Sequence, residues 1–153
     1  MANDKPKKLV SAAEEDKISR AMLVWLNTWP DKPVDVIRYE FLPADSKGAM
    51  ALSTIQGTYI TRRYILGGHQ AEYQFKVIYR LKPGNSNDKR LKADELLDSM
   101  ADWAADGGPD IGDDARVIRV EATTRSALFG AYDNGDEDHQ ILMKMTYEVI
   151  TNA

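Results

Sequence analysis

Strict alternation dominates residues 69–81, HQAEYQFKVIYRL. Ala71, Tyr73, Phe75, Val77, Tyr79 and Leu81 share one side, and Glu72, Gln74, Lys76 and Arg80 share the other, broken only by Ile78. A period of two predicts a strand with one face on a core and one face toward water or a partner. Three segments before it, from Val34, Ala49 and Thr58, carry the same β-branched and aromatic bias between Gly, Pro, Asp and Ser punctuation, so four successive strands are expected as an antiparallel meander. Two more strands are expected near the end: RVIRVEATT from Arg116, and HQILMKMTYEVI from His139 with Ile141, Met143, Met145, Tyr147 and Val149 on one face. The intervening GAYDNGDED, residues 130–138, reads as a long, solvated loop.

Helical spacing appears twice. Ser11 and Glu14 have the spacing of a capping box, and Ile18, Met22, Trp25 and Trp29 follow on one stripe, widened by Leu23 and Leu26 and ended by Pro30. The second helix follows KPGNSNDKR, with Asn85, Asn87 or Asp88 as N-cap. Its apolar stripe is Leu91, Leu96, Leu97, Met100, Trp103 and Ala104, supported by the i,i+4 pairs Asp88–Lys92 and Arg90–Asp94 and stopped at Gly107, Gly108 and Pro109. The expected fold is α+β: a single domain over residues 11–153, with a largely antiparallel or mixed sheet of about six strands and two main helices on one face. Residues 1–10 read as a flexible basic arm.

The 153-residue length allows one core. No apolar run suggests a signal peptide or membrane span, and the absence of cysteine removes disulfides and thiolate metal sites. A soluble protein made in the cytoplasm is expected. The net charge of -4 hides a strong asymmetry. Residues 1–59 hold eight basic and eight acidic groups, residues 60–92 hold eight against two, and residues 93–153 hold four against fourteen. A positive middle and a negative end can neutralise each other internally or steer one copy onto the next.

Catalytic and metal signatures are lacking. Gly67 and Gly68 before His69 match neither a dinucleotide nor a phosphate loop, and Glu72, the nearest carboxylate in sequence, falls on the opposite side of the strand. His69 therefore reads as a turn or strand-start residue, with the glycines allowing a positive-φ turn or a bulge between consecutive strands. His139 follows Asp136, Glu137 and Asp138, but the spacing fits no calcium loop. No serine occupies a G-x-S-x-G elbow. Arg62, Arg63, Lys76 and Arg80 could form a basic patch, yet a pI near 5.2 and no binding motif argue against sequence-specific nucleic-acid recognition. No catalytic, cofactor or metal residue is assigned.

The order of elements carries a family resemblance. YEFLP at Tyr39–Pro43, TRRYILGG at Thr61–Gly68, the A-E-Y-x-F of Ala71–Phe75, Tyr79–Arg80, and the helix bearing Leu91, Leu97 and Trp103 resemble the small minor capsid or tail-terminator family of tailed bacteriophages and prophages, over most of residues 34–150. The resemblance implies a non-enzymatic virion protein, assembled in the host cytoplasm. Such a protein forms a homo-oligomeric ring, often hexameric, at the head-proximal end of the tail tube. There it halts tube polymerisation and meets a head-completion or connector protein, while DNA passes through the lumen without sequence-specific binding and no membrane is involved. A head–tail neck or completion protein is the related alternative. A small His/carboxylate enzyme and a monomeric ligand-binding domain are the competing classes. A ring needs a heterologous interface. The residues expected to form it are Arg62, Arg63 and Arg80 on one side, and Asp110, Asp113, Asp114, Asp133 and Asp136 on the other.

Overall fold

The computed structural model describes residues 8–43 and 48–150. It is a single α+β domain of two helices and a seven-stranded mixed sheet. The elements are α1 (Ala12–Leu26), β1 (Ile37–Tyr39), β2 (Ala49–Thr54), β3 (Tyr59–Arg63), β4 (His69–Leu81), α2 (Asn87–Ala105), β5 (Ala115–Ala122), β6 (Ala127–Ala131) and β7 (Glu137–Val149).

Two strands of 13 residues each, β4 and β7, form the centre and pair antiparallel along their whole length, from His69 opposite Val149 to Leu81 opposite Glu137. The expected meander is corrected here. β2 and β3 do not pair with each other. Both lie along β4, β2 opposite residues 75–80 and β3 opposite residues 69–72. A single strand as long as β4 offers room for two short ones end to end, and the chain steps between them at Gln56, whose φ of 57° is left-handed. β1 adds to β2 in parallel. β5 and β6 line β7 in the same way. The sheet is therefore two long hairpins, each with a broken first arm, joined back to back. Their turns, Tyr64–Gly68 and Tyr132–Asp136, point to opposite ends.

β6 falls partly within the expected loop. Gly130 and Ala131 belong to this strand, Tyr132–Asp136 is a tight turn closed by the Tyr132 N–H to the Asp136 carbonyl at 2.9 Å, and Glu137 already starts β7. The strand has no alternating pattern to announce it: Ala127–Ala131 reads ALFGA, with Leu128 and Phe129 both exposed, and its strand character comes from backbone pairing with β7.

Alternation places Ala71, Tyr73, Phe75 and Val77 of β4 beside Ile141, Met143, Met145 and Tyr147 of β7, and both helices cover that face. Ile18, Met22 and Leu26 of α1 and Leu97, Met100 and Ala104 of α2 are buried there, and Trp25 stacks on Trp103 at 4.7 Å. α1 stops at Leu26, before Trp29, because Asn27 caps it. The Asn27 side chain donates to the carbonyls of Leu23 and Ile37 and accepts from the Ile37 N–H, tying the helix end to β1. Trp29 still reaches the core from the following turn. The α2 N-cap is Ser86, whose hydroxyl accepts the Lys89 N–H, in place of the expected Asn85, Asn87 or Asp88. Of the expected arm, residues 1–7 lie outside the described residues. Lys8–Val10 run along β3, with Leu9 bridging Tyr59 and Val10 buried. Among the described residues no helix is long and apolar enough to cross a membrane.

Gly68 closes the β3–β4 turn at φ 86°, and a Cβ there would overlap the Val149 carbonyl. Gly84 also has positive φ, 60°, but open space around it. Gly68→Ala should therefore lower unfolding free energy by more than about 2 kcal/mol, from left-handed strain and backbone overlap together, and Gly84→Ala by only about 1 kcal/mol. Urea titration of the two variants checks the difference.

Candidate assembly interface

The pairing register puts the basic and acidic segments at the same end of the sheet. One row runs Arg63, His69, Val149, Ala115 across β3, β4, β7 and β5. β3 and β5 thus flank the central pair on opposite sides, three strand spacings or roughly 14 Å apart, with Lys8–Val10 running outside β3 at Tyr59 and Ile60. Arg62 and Arg63 are exposed at the end of β3 and make no ion pair among the described residues. Asp110, Asp113 and Asp114 are exposed in the loop that enters β5. Asp110 accepts the Gly112 N–H at 3.0 Å, and Asp114 lies 3.6 Å from Lys17, both of these partners being solvent-exposed.

The other expected interface residues lie elsewhere. Arg80 is near the far end of β4, roughly 35 Å of strand from His69. Its guanidinium grips Asp138 of its own chain with two bonds of 2.7 and 2.8 Å, donates to the Leu42 carbonyl, and stacks over Tyr132 at 5.0 Å. Asp138 holds the Arg80 guanidinium more firmly protonated than usual, against the opposing effect of partial burial. Asp136 is 3% exposed, accepts from the Asn134 amide and lies 3.8 Å from Lys82. Asp133 is exposed on the same turn, at the end of the sheet away from Arg62 and Arg63. Of the expected interface residues, Arg62 and Arg63 on one side and Asp110, Asp113 and Asp114 on the other lie at the same end of the sheet. Sequence distance could not separate these acids from Asp133 and Asp136, since only the register assigns them to ends.

Both histidines are engaged inside the fold. His69 starts β4, and its Nε2 lies 2.9 Å from Glu14, which also accepts the Tyr147 hydroxyl at 2.6 Å. Only half of the expected capping box forms. Ser11 accepts the Glu14 N–H, but the Glu14 side chain turns to the sheet. Burial, then the Glu14 carboxylate, pushes the Tyr147 hydroxyl far up. His139 is 2% exposed, with Nδ1 at 2.8 Å from Asp94 and Nε2 at 3.5 Å from Glu137. The expected Arg90–Asp94 pair gives way to two cross-element contacts. Arg90 reaches Glu137 at 2.8 Å while Asp94 takes His139 and Ser126, because α2 lies against the start of β7. Asp88–Lys92 forms at 3.1 Å. Ser126 donates to Asp94, not to an imidazole, so serine and histidine share one carboxylate acceptor. Among the described residues, no three His or carboxylate groups converge in a way that could hold a metal ion; the acids near His139 alternate across β7 and are taken by Arg80, Arg90 and Lys82.

A groove of about 490 Å³ runs between the end of α2 and the β5 edge, lined by residues 105–112 and 115–119. Comparison of the chain with models of known protein families and with curated proteins gives no match.

Asp138→Ala should destabilise the protein by about 3 kcal/mol or more, since Arg80 would keep its charge without its partner. The double replacement Arg80→Met with Asp138→Leu should recover most of the loss in equilibrium unfolding. The Arg90 guanidinium holds Glu137 below its ordinary 4.5, and the Tyr64 hydroxyl with Arg116 does the same for Glu148. Folded protein thus binds fewer protons than unfolded chain just below the ordinary carboxylate range. Stability contributed by these groups is present above about pH 4.5 and is lost as pH falls through the lowered values. Urea midpoints measured between about pH 5 and about pH 3 should decline, less steeply in Glu137→Gln.

Proposed function

We propose that this chain is a structural subunit of a tailed-phage virion that assembles head to tail into a ring at the head-proximal end of the tail tube, ends tube growth and offers the surface for head joining. The observation that carries this reading is the placement of a basic pair with no ion pair among the described residues and an acidic loop at one level on opposite sides of a single sheet. Copies set side by side, all with the same end up, bring β3 of one next to β5 of another. Arg62 and Arg63 then face Asp113 and Asp114, and the contact repeats because each copy still has one edge free. Such a heterologous contact closes into a ring when the rotation per copy divides a full turn.

The resemblance to tail-terminator proteins supplies the position in the virion. The reading is non-enzymatic, in keeping with His69 and His139 each bonded to a carboxylate of a helix, and with Ser126 bonded to the same Asp94 carboxylate as His139. The ring's partners are then copies of this chain, the tube protein below and a head-completion protein above, with DNA in the lumen held by no base-specific contact.

Arg62→Glu with Arg63→Glu should abolish rings in native mass measurement and negative-stain images, and tails assembled with this variant should be overlong. Adding Asp113→Lys and Asp114→Lys should restore closure. At about 1 M salt, where the screening length falls to about 3 Å, wild-type assembly should slow. Rings that form equally well with reversed charges would sink the edge pairing.

A further inference from the structure

The β3–β4 turn carries the most exposed apolar side chains of the described residues: Ile65 is 101% exposed and Leu66 87%. The turn itself does not require them. Its backbone is closed by the Tyr64 N–H to the Gly68 carbonyl and the Gly67 N–H to the Tyr64 carbonyl, each 3.2 Å, with Gly67 and Gly68 supplying positive φ. Tyr64 anchors the base through its hydroxyl, 2.6 Å from Glu148. At the opposite end of the sheet, the turn of the other hairpin does the same geometric work with Asp133, Asn134 and Gly135. Two aliphatic side chains held in water on a closed turn point to a surface that covers them.

The same end of the molecule carries a receptor on the other edge. The groove beside β5 is floored by Gly107, Gly108 and Ile111 and walled by Val117 and Ile118. Ile118 is the extra residue of a β-bulge, 39% exposed, which turns an apolar side chain outward from the edge strand. A Cβ on Gly108 would come within 2.9 Å of Val117, so glycine there keeps the wall and floor in close contact. Asp106 and Asp110 stand on the rim and Asp113 beside it, with no ion pair among the described residues. The rim arginines are matched within the chain, Arg116 to Glu148 and Arg119 to Glu121, each at 2.6 Å. Uncompensated charge at the groove is negative, and uncompensated charge behind the tip, on Arg62 and Arg63, is positive.

We propose that the Ile65–Leu66 tip of each copy seats in the residue 105–119 groove of the next, making the turn a peg and the β5 edge its socket. The proposal rests on the ring reading above and gives it a contact. Apolar burial at the tip supplies strength and the flanking charges set orientation. Two features argue for a second copy as the occupant. The charges complement, and the tip just past the Arg63–His69 row and the groove along residues 115–119 lie toward the same end of the sheet on different sides, so each copy carries both halves of a contact that can repeat.

The chain has no cysteine, so a pair of introduced thiols reports the contact directly. Leu66→Cys with Ile118→Cys should give a ladder of covalent oligomers on oxidation, because a disulfide forms only where Cα atoms approach within about 7 Å. Leu66→Cys with Asp133→Cys, whose second site is at the other end of the sheet, should give none. Ile65→Ser with Leu66→Ser alters only exposed positions and should keep the wild-type melting temperature while weakening self-association about tenfold or more. Oligomers that form without the 66–118 bond, or that are as tight with the serine tip, would overturn the peg and socket while leaving the ring. A chain that stays monomeric at high concentration and on tail tubes would overturn both. Tip-dependent sedimentation with phosphatidylcholine/phosphatidylglycerol vesicles would instead make the turn a membrane contact, and the proposal would fall.

Discussion

The continuous antiparallel pairing of β4 with β7, thirteen residues against thirteen, is the constraint on which the rest of the fold depends. It aligns the buried side chains of both strands into one apolar face, and that face determines where α1 and α2 must lie. It also leaves each central strand with one long free edge. Short strands fill those edges in pairs, β2 and β3 on one side, β5 and β6 on the other, and each pair is broken where the chain must adjust to the twist. The bulges at Ile60/Arg62, Val117/Arg119 and Leu128/Gly130 all fall in these outer strands. Irregularity is confined to the edges because a shift in the central pair would turn its buried face toward water.

Charge follows from the same register. At the far end, α2 comes close to the start of β7, and arginines from α2 and β4 are drawn onto Glu137 and Asp138 in bonds that are largely shielded from solvent. A guanidinium held by two bonds to a buried carboxylate, with a ring stacked on it, is part of the architecture and is not available to another molecule. At the near end Glu148 takes Arg116 and the Tyr64 hydroxyl, but Arg62 and Arg63 meet no carboxylate among the described residues. Arg62 and Arg63 occupy the last two pairing rows of β3, and the acids entering β5 sit three strands away. The far end buries its arginine–carboxylate pairs, whereas the near end presents Arg62, Arg63 and Asp113 with no ion pair among the described residues, on separate sides of the sheet. This contrast gives the proposed assembly its direction.

Much of this was legible in the residues. The α+β class, both helices, the position of each long strand and the faces they bury follow from periodicity, since the stripe from Ile18 to Leu26 and the alternation from Ala71 to Val77 leave few ways to cover apolar area. His69 as a strand-start residue behind a glycine turn was also legible. β6 was not, because the short ALFGA stretch lacks alternation and its strand character comes from backbone pairing with β7. The Ser86 cap and the end of α1 at Leu26 differ from the expected residues by small steps, as local hydrogen bonds of Ser86 and Asn27 decided them.

For the interface, composition announced a basic middle and an acidic end but could not say which members were free. Arg80 and Arg63 look alike in sequence, as do Asp136 and Asp113. By itself the sequence determined which residues are apolar at which period, hence the elements and the side of each that must be buried. Tertiary structure alone decided the partners, because pairing brings together residues 58 positions apart, such as Arg80 and Asp138. Linear distance carries no trace of the register that joins those two and leaves Arg62 and Arg63 facing outward.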